Sequence, residues 1–152
     1  MRSTVSLVKY WLPVLLWMGV IFLGSCDSHS SLHSSRLLGP LLHWLLPSLT
    51  NDQVQQIIFG FRKLAHLAEY AMLSLLVWRA VRQPVRNDPR PWSWPQARLV
   101  TLLCAAYAGT DEFHQLFVPT REARIHDVAL DTGGALLALL CLWALGRWRK
   151  CW

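Results

Sequence analysis

Charge is what this chain of 152 residues has least of. Charged side chains make up 16% of it, against about 25% in an ordinary soluble domain. The place they leave is taken by apolar residues, at 53%, and that balance excludes a water-soluble globule as the expected class. Cysteine is sparse too. Cys26, Cys104, Cys141 and Cys151 show no paired spacing, so neither a disulfide framework nor a zinc knuckle is implied. Cys104 and Cys141 fall inside apolar runs and are expected to be packing thiols. Acid is scarcer than base, giving a formal net charge of +6, yet the Lys and Arg residues do not form one patch interleaved with stacking aromatics. Nucleic acid is therefore not an expected partner. Nine Trp are present, mostly near the ends of apolar runs, where an indole keeps its ring in lipid and its N–H wet. The expected partner is the lipid bilayer.

Four apolar runs give the organisation: a single domain over 1–152 with spans at about 8–25, 62–81, 97–118 and 126–145. The expected fold class is an all-α membrane protein, a four-helix transmembrane bundle with an extracytoplasmic loop carrying a short interfacial helix. The first run is short for a crossing, but Val5 to Val8 extend it while Lys9 snorkels. A rival reading takes the basic start, the apolar middle and Leu23-Gly24-Ser25-Cys26 as a bacterial lipoprotein signal with the lipid on Cys26. Between the first two spans, the patch Ser28 to Ser35 reads as a solvated loop. The island from Leu37 to Pro47 is too short to cross and reads as an interfacial helix. Arg79 to Arg98 is a proline-rich break with five arginines and one acid, Asp88, and implies no compact fold. Pro119 then makes a tight turn between the last two spans.

Orientation follows from the basic residues. Arg2, Lys9, Arg79, Arg82, Arg86, Arg90, Arg98, Arg147, Arg149 and Lys150, ten of the fifteen, fall on the side of the termini and the middle loop. The positive-inside rule puts that side in the cytoplasm. The expected location is the bacterial cytoplasmic membrane, multi-pass, with both termini inside. The polar start of the second span, the polar end of the third and the polar start of the fourth then share the outer side.

Those polar stretches are the candidate site. An ionisable group at the centre of a membrane helix costs roughly 2.5–3.5 kcal/mol on insertion scales, so a cluster of them calls for a function. On the second span Lys63, His66 and Tyr70 share a helical face, with Glu69 on its shoulder. On the third, Asp111, Glu112 and Gln115 fan over one side, flanked by Tyr107 and His114. On the fourth, Asp127, Asp131, Gly134 and Ala138 form a stripe of acids followed by small residues, which permits close helix approach. Arg121 and Arg124 in the turn can pair in bidentate fashion with carboxylate or phosphate. Lys63, Arg121 and Arg124 stand against Asp111, Glu112, Asp127 and Asp131, with His66 adjustable, so the set is close to neutral.

These motifs resemble the VanZ-like family of small bacterial membrane proteins. The matching pattern is Lys63-x-x-His66-x-x-x-Tyr70, Asp111-Glu112-x-x-Gln115, Pro119-x-Arg121, and Arg124-x-x-Asp127 with Asp131 and Gly134. Trp11-Leu12-Pro13 and Ser25 also sit at family positions, and the resemblance runs from about Tyr10 to Leu145. Thr120 stands where the family commonly has glycine. The family takes its name from a protein associated with low-level resistance to the glycopeptide teicoplanin. The resemblance implies a membrane protein of the cell envelope, without fixing its activity.

Four readings of the site follow. The first is recognition of an anionic envelope component, a lipid-linked precursor or a glycopeptide, by Lys63, Arg121 and Arg124, with the Leu37–Leu46 island bordering the groove. The second is an enzyme acting on a lipid phosphate with His66 or Glu112 as base, although no nucleophile with an adjacent partner is legible. A metal site from His66, Glu69, Glu112 and Asp127 is allowed by residue type, but no compact ligand motif demands it. No cofactor or metal is expected. The last is a purely structural polar network that locks the helices together.

Overall fold

The computed structural model describes residues 4–26, 30–84, 88, 90–117 and 125–150. Among them are five helices and no strand: α1 (Thr4–Cys26), α2 (Ser30–Leu45), α3 (Asn51–Arg82), α4 (Trp94–Gln115) and α5 (Ile125–Trp148). Three are long and apolar enough to cross a membrane: α1 through its stretch Leu7–Ser25, α3 and α5. The 22-residue α4 is not among them; its last turns hold Asp111, Glu112, His114 and Gln115.

Helix ends depart from the sequence expectation in ways local chemistry explains. α3 begins at Asn51, well before the expected 62, because Thr50 caps it. The Thr50 Oγ1 accepts the Gln53 backbone N–H while the Gln53 side chain accepts the Thr50 N–H at 2.9 Å. This reciprocal capping box satisfies two donors that a helix start leaves orphaned. α4 begins at Trp94, with Ser93 as cap and Pro95 in the first turn, where a missing N–H costs nothing. It stops at Gln115, short of the expected 118. The stretch expected as a solvated loop over Ser28 to Ser35 is helical from Ser30 onward, as the opening of α2. α2 passes through Pro40 and ends before Pro47.

α1, α3, α4 and α5 pack side by side, each running antiparallel to the next of them in sequence, so that α3 and α5, which touch, run parallel. At one end the Tyr10 hydroxyl of α1 donates to the Pro84 carbonyl beyond α3 at 3.0 Å. At the other, Ser25 of α1 reaches Asp111 of α4. The core between them is Val14, Ile21, Tyr70, Leu73, Val77, Val100, Cys104, Ala108, Ala135 and Leu139, all buried. α3 against α5 is the tightest seam. Gly134 lies on the backbone of Leu67, and a Cβ there would stand 2.5 Å from the Leu67 carbonyl oxygen. The outward surface is leucine: Leu16, Leu23, Leu64, Leu102 and Leu137 are each more than half exposed, as suits side chains that face lipid. Cys104 is buried, as expected of a packing thiol, but Cys141 is exposed on this same surface. Cys151 lies outside the described residues.

The described residues of the linker between α3 and α4 are tied to the end of α3 by hydrogen bonds and ion pairs. Arg82, 6% exposed, donates to the carbonyls of Pro91 at 3.1 Å and of Arg90, while Arg90 donates back to the Arg82 carbonyl at 2.9 Å. Asp88 joins them, with Arg90 at 2.6 Å and Arg82 at 3.4 Å. The hydrogen bond from Arg90 holds the Asp88 carboxyl well below the usual carboxylate range. The one acid of the linker thus joins Arg90 to Arg82 at the end of α3.

Candidate functional site

The polar residues singled out on α3, α4 and α5 meet at one end of the molecule, opposite the Asp88 linker. α3 brings Lys63 and Tyr70 two turns apart on one face. Lys63 forms an ion pair with Asp127 in the first turn of α5, and its ammonium also lies over the Phe59 ring, 5.3 Å from the centroid. These side chains remain 28% and 21% exposed, so the pair sits at the rim.

Deeper in, the groups lose water. Asp131, one turn below Asp127, is 3% exposed, as is Asp111; Gln115 is 4%, Glu112 8% and Tyr70 fully buried. The Asp111 Oδ2 accepts from the Ser25 hydroxyl at 2.8 Å and from the Gln115 amide at 3.2 Å. The Tyr70 ring lies 6.2 Å from that of Tyr107, whose hydroxyl donates to the Met18 carbonyl at 2.6 Å. Asp111, Glu112, Asp127 and Lys63 all act electrostatically on Asp131, and Asp111 and Asp131 both act on the Tyr70 hydroxyl. The carboxylates therefore share one compartment.

Three buried polar atoms in that compartment have no hydrogen-bond partner among the described residues: the Tyr70 hydroxyl, the Asp111 Oδ1 and the Asp131 Oδ1. A buried polar group without a partner costs about 1–3 kcal/mol. Two of the three atoms are carboxylate oxygens, so what goes unmet in the compartment among the described residues is mostly acceptor. Its chemistry is to receive N–H or O–H donors, or protons, between α3, α4 and α5.

The remaining predicted residues divide. His66 and Glu69 face each other within α3, Nδ1 to Oε2 3.5 Å, at 21% and 32% exposed. The Glu69 backbone carbonyl accepts the Trp17 indole N–H at 2.9 Å, tying α1 to α3. Arg121 and Arg124 lie outside the described residues. Among the described residues, which include His66, Glu69, Glu112 and Asp127, no three His, Cys, Asp or Glu side chains gather where they could hold an ion.

Sequence reasoning placed Ser25 among the matching positions without assigning it a partner, and it did not single out Trp17. The signal for Trp17 was available: an indole in the middle of an apolar run, away from either interface, needs an acceptor for its N–H.

A family model described as VanZ/LLP1 matches residues 10–146. No curated protein and no solved structure matches the chain.

Proposed function

The chain belongs to the VanZ/LLP1 family, by a match over nearly all of its length, and from that premise we propose that its polar compartment is an outward-facing binding site for an anionic component of the bacterial cell envelope. In this reading α1, α3, α4 and α5 cross the cytoplasmic membrane with both termini inside. α3 is 32 residues long, about 48 Å at 1.5 Å per residue, which exceeds the roughly 30 Å of hydrocarbon. Its capped start, with Asn51, Asp52 and Gln53 exposed, then stands clear of the bilayer on the outer side. α2 packs against α3 and is joined to that start by the His43 ring, which bonds the Asn51 side chain at 3.0 Å, and it leaves Leu41, Trp44 and Leu45 uncovered. Such a helix lies in the outer interface, beside the mouth of the site.

The observation that carries the reading is convergence: Ser25, Lys63, Tyr70, Asp111, Glu112, Asp127 and Asp131 come from four helices to one end, at a cost that helix packing alone does not require. The ligand is a lipid-linked precursor or a glycopeptide. Arg121, Arg124 and Lys63 bind its anionic group, and the buried carboxylates receive its hydroxyl or amine donors. The test is binding of a labelled polyprenyl phosphate, and separately of a glycopeptide, to the purified protein. Arg121→Lys keeps the charge but loses the planar fork, and is expected to weaken binding about tenfold. Unchanged affinity removes the phosphate-clamp role.

A second reading rests on the contact between His66 and Glu69. A carboxylate that orients an imidazole is the arrangement a general base uses, which suits an enzyme acting on a lipid-linked phosphate. It predicts turnover of the polyprenyl phosphate that disappears in His66→Ala. With neither binding nor turnover, the cluster is a structural network.

A further inference from the structure

At the end of the molecule away from the acids, a cavity of about 300 Å³ opens between the first half of α4 and the second half of α5. Its floor is Ala97 and Leu139, 6% and 2% exposed. Its walls, almost wholly apolar, include Leu102, Leu136 and Leu140, each 40% or more exposed, so the groove opens sideways toward the surface that faces lipid. Its upper end is aromatic. Trp92 and Trp94 line it with their rings edge to face at 5.7 Å, and Trp143 lies 5.7 Å beyond Trp94. Indoles grouped where apolar walls meet polar ends mark the headgroup level.

Arg98 is the one charged residue of this groove. It is exposed, and among the described residues it has no carboxylate partner. Asp88, the only acid between Arg79 and Arg98 in sequence, is already held by Arg82 and Arg90. An apolar groove that leads to an unpaired guanidinium at the headgroup level complements a molecule with an alkyl chain and an anionic head. A basic pocket between membrane helices recognises headgroup phosphates in this way.

We propose that this groove is a binding site for a single anionic phospholipid, with one acyl chain against Leu102, Leu136 and Leu140 and the phosphate on Arg98. The site is separate from the acid compartment and stands whether or not the outward ligand is as proposed. It would hold α4 against α5 at the end where the linker joins α3 to α4.

The experiment is competition in neutral detergent, where no charged membrane surface contributes. Phosphatidylglycerol and phosphatidylcholine of equal chain length are added together to the purified full chain, and retained lipid is counted by mass spectrometry of the intact complex. The wild type is expected to retain one phosphatidylglycerol. Arg98→Gln is expected to lower its preference over phosphatidylcholine about tenfold, the worth of one charge-assisted contact. Arg147→Gln makes the same change in net charge outside the groove and is expected to leave the preference unchanged. Leu140→Trp fills the groove and is expected to abolish retention of both lipids, with helical content and elution unchanged. The proposal is overturned if the wild type shows no preference, if Arg147→Gln lowers it as much as Arg98→Gln, or if Leu140→Trp retains lipid as the wild type does.

Discussion

Lys63 and Asp127 lie 64 positions apart in sequence and pair across the seam of α3 and α5. Because both side chains are about three-quarters buried, removing one leaves the other's charge poorly solvated, whereas removing both leaves apolar contact. Lys63→Met alone is expected to destabilise the protein by about 1–3 kcal/mol. The double variant Lys63→Met with Asp127→Leu is expected to recover most of that, both read as unfolding midpoints in detergent. A double variant no more stable than the single would show that the pair matters for something other than charge compensation. Asp88 makes a prediction in pH. Its folded carboxyl titrates below the unfolded one, so the stability it contributes is complete above the unfolded value of about 3.9 and is lost as pH falls toward its depressed folded value. Asp88→Asn lacks that contribution at every pH. The gap between wild type and variant midpoints is therefore expected to be flat from neutral pH down to about 5 and to shrink only in stronger acid. A gap that closes near neutrality would mean the linker is held by something else.

At the scale of the helix, contact between α3 and α5 depends on one residue without a side chain. Gly134 faces the Leu67 backbone, which cannot swing away as a side-chain tip could. Gly134→Ala is expected to push the two helices apart, at a cost of about 1–3 kcal/mol, and to loosen the Lys63–Asp127 pair above it. Gly133, one residue earlier, has open space at its Cβ position, so Gly133→Ala is the matched control. It is expected to be neutral or slightly stabilising, since alanine is the better helix former. Equal midpoints for the two variants would contradict the close packing. The stripe of Asp127, Asp131, Gly134 and Ala138 was legible in the sequence because helical spacing puts acids and small residues in one line. The eleven-residue extension of α3 before the expected span was also written there, as Thr50 and Gln53, but a hydropathy reading passes over a polar, capped turn.

For the whole molecule the decisive quantity is which end faces out. The acid compartment and the Asp88 linker sit at opposite ends, and the basic residues crowd the linker end, as the positive-inside rule expects of a cytoplasmic face. A cysteine placed at Thr120, on the segment joining α4 to α5, is expected to react with a membrane-impermeant maleimide in intact cells. A cysteine placed at Pro84 is expected to react only after the cells are opened. The reverse pattern would turn the acid compartment toward the cytoplasm and remove an envelope ligand from consideration.

Composition and period sufficed for the class of the protein and for which faces of its helices carry charge, because both depend on neighbours three and four positions away. They also brought the acids of α4 and α5 to one end, since antiparallel helices joined by a short turn must meet there. What the sequence could not hold was the partner of each group. That Lys63 spends its charge on Asp127, that Ser25 donates to Asp111, that His66 turns to Glu69 of its own helix and that three oxygens of the acid compartment have no partner among the described residues are consequences of helix rotation and spacing. Those are decided where Gly134 meets Leu67 and Trp17 meets Glu69, by contacts between residues that no local rule connects.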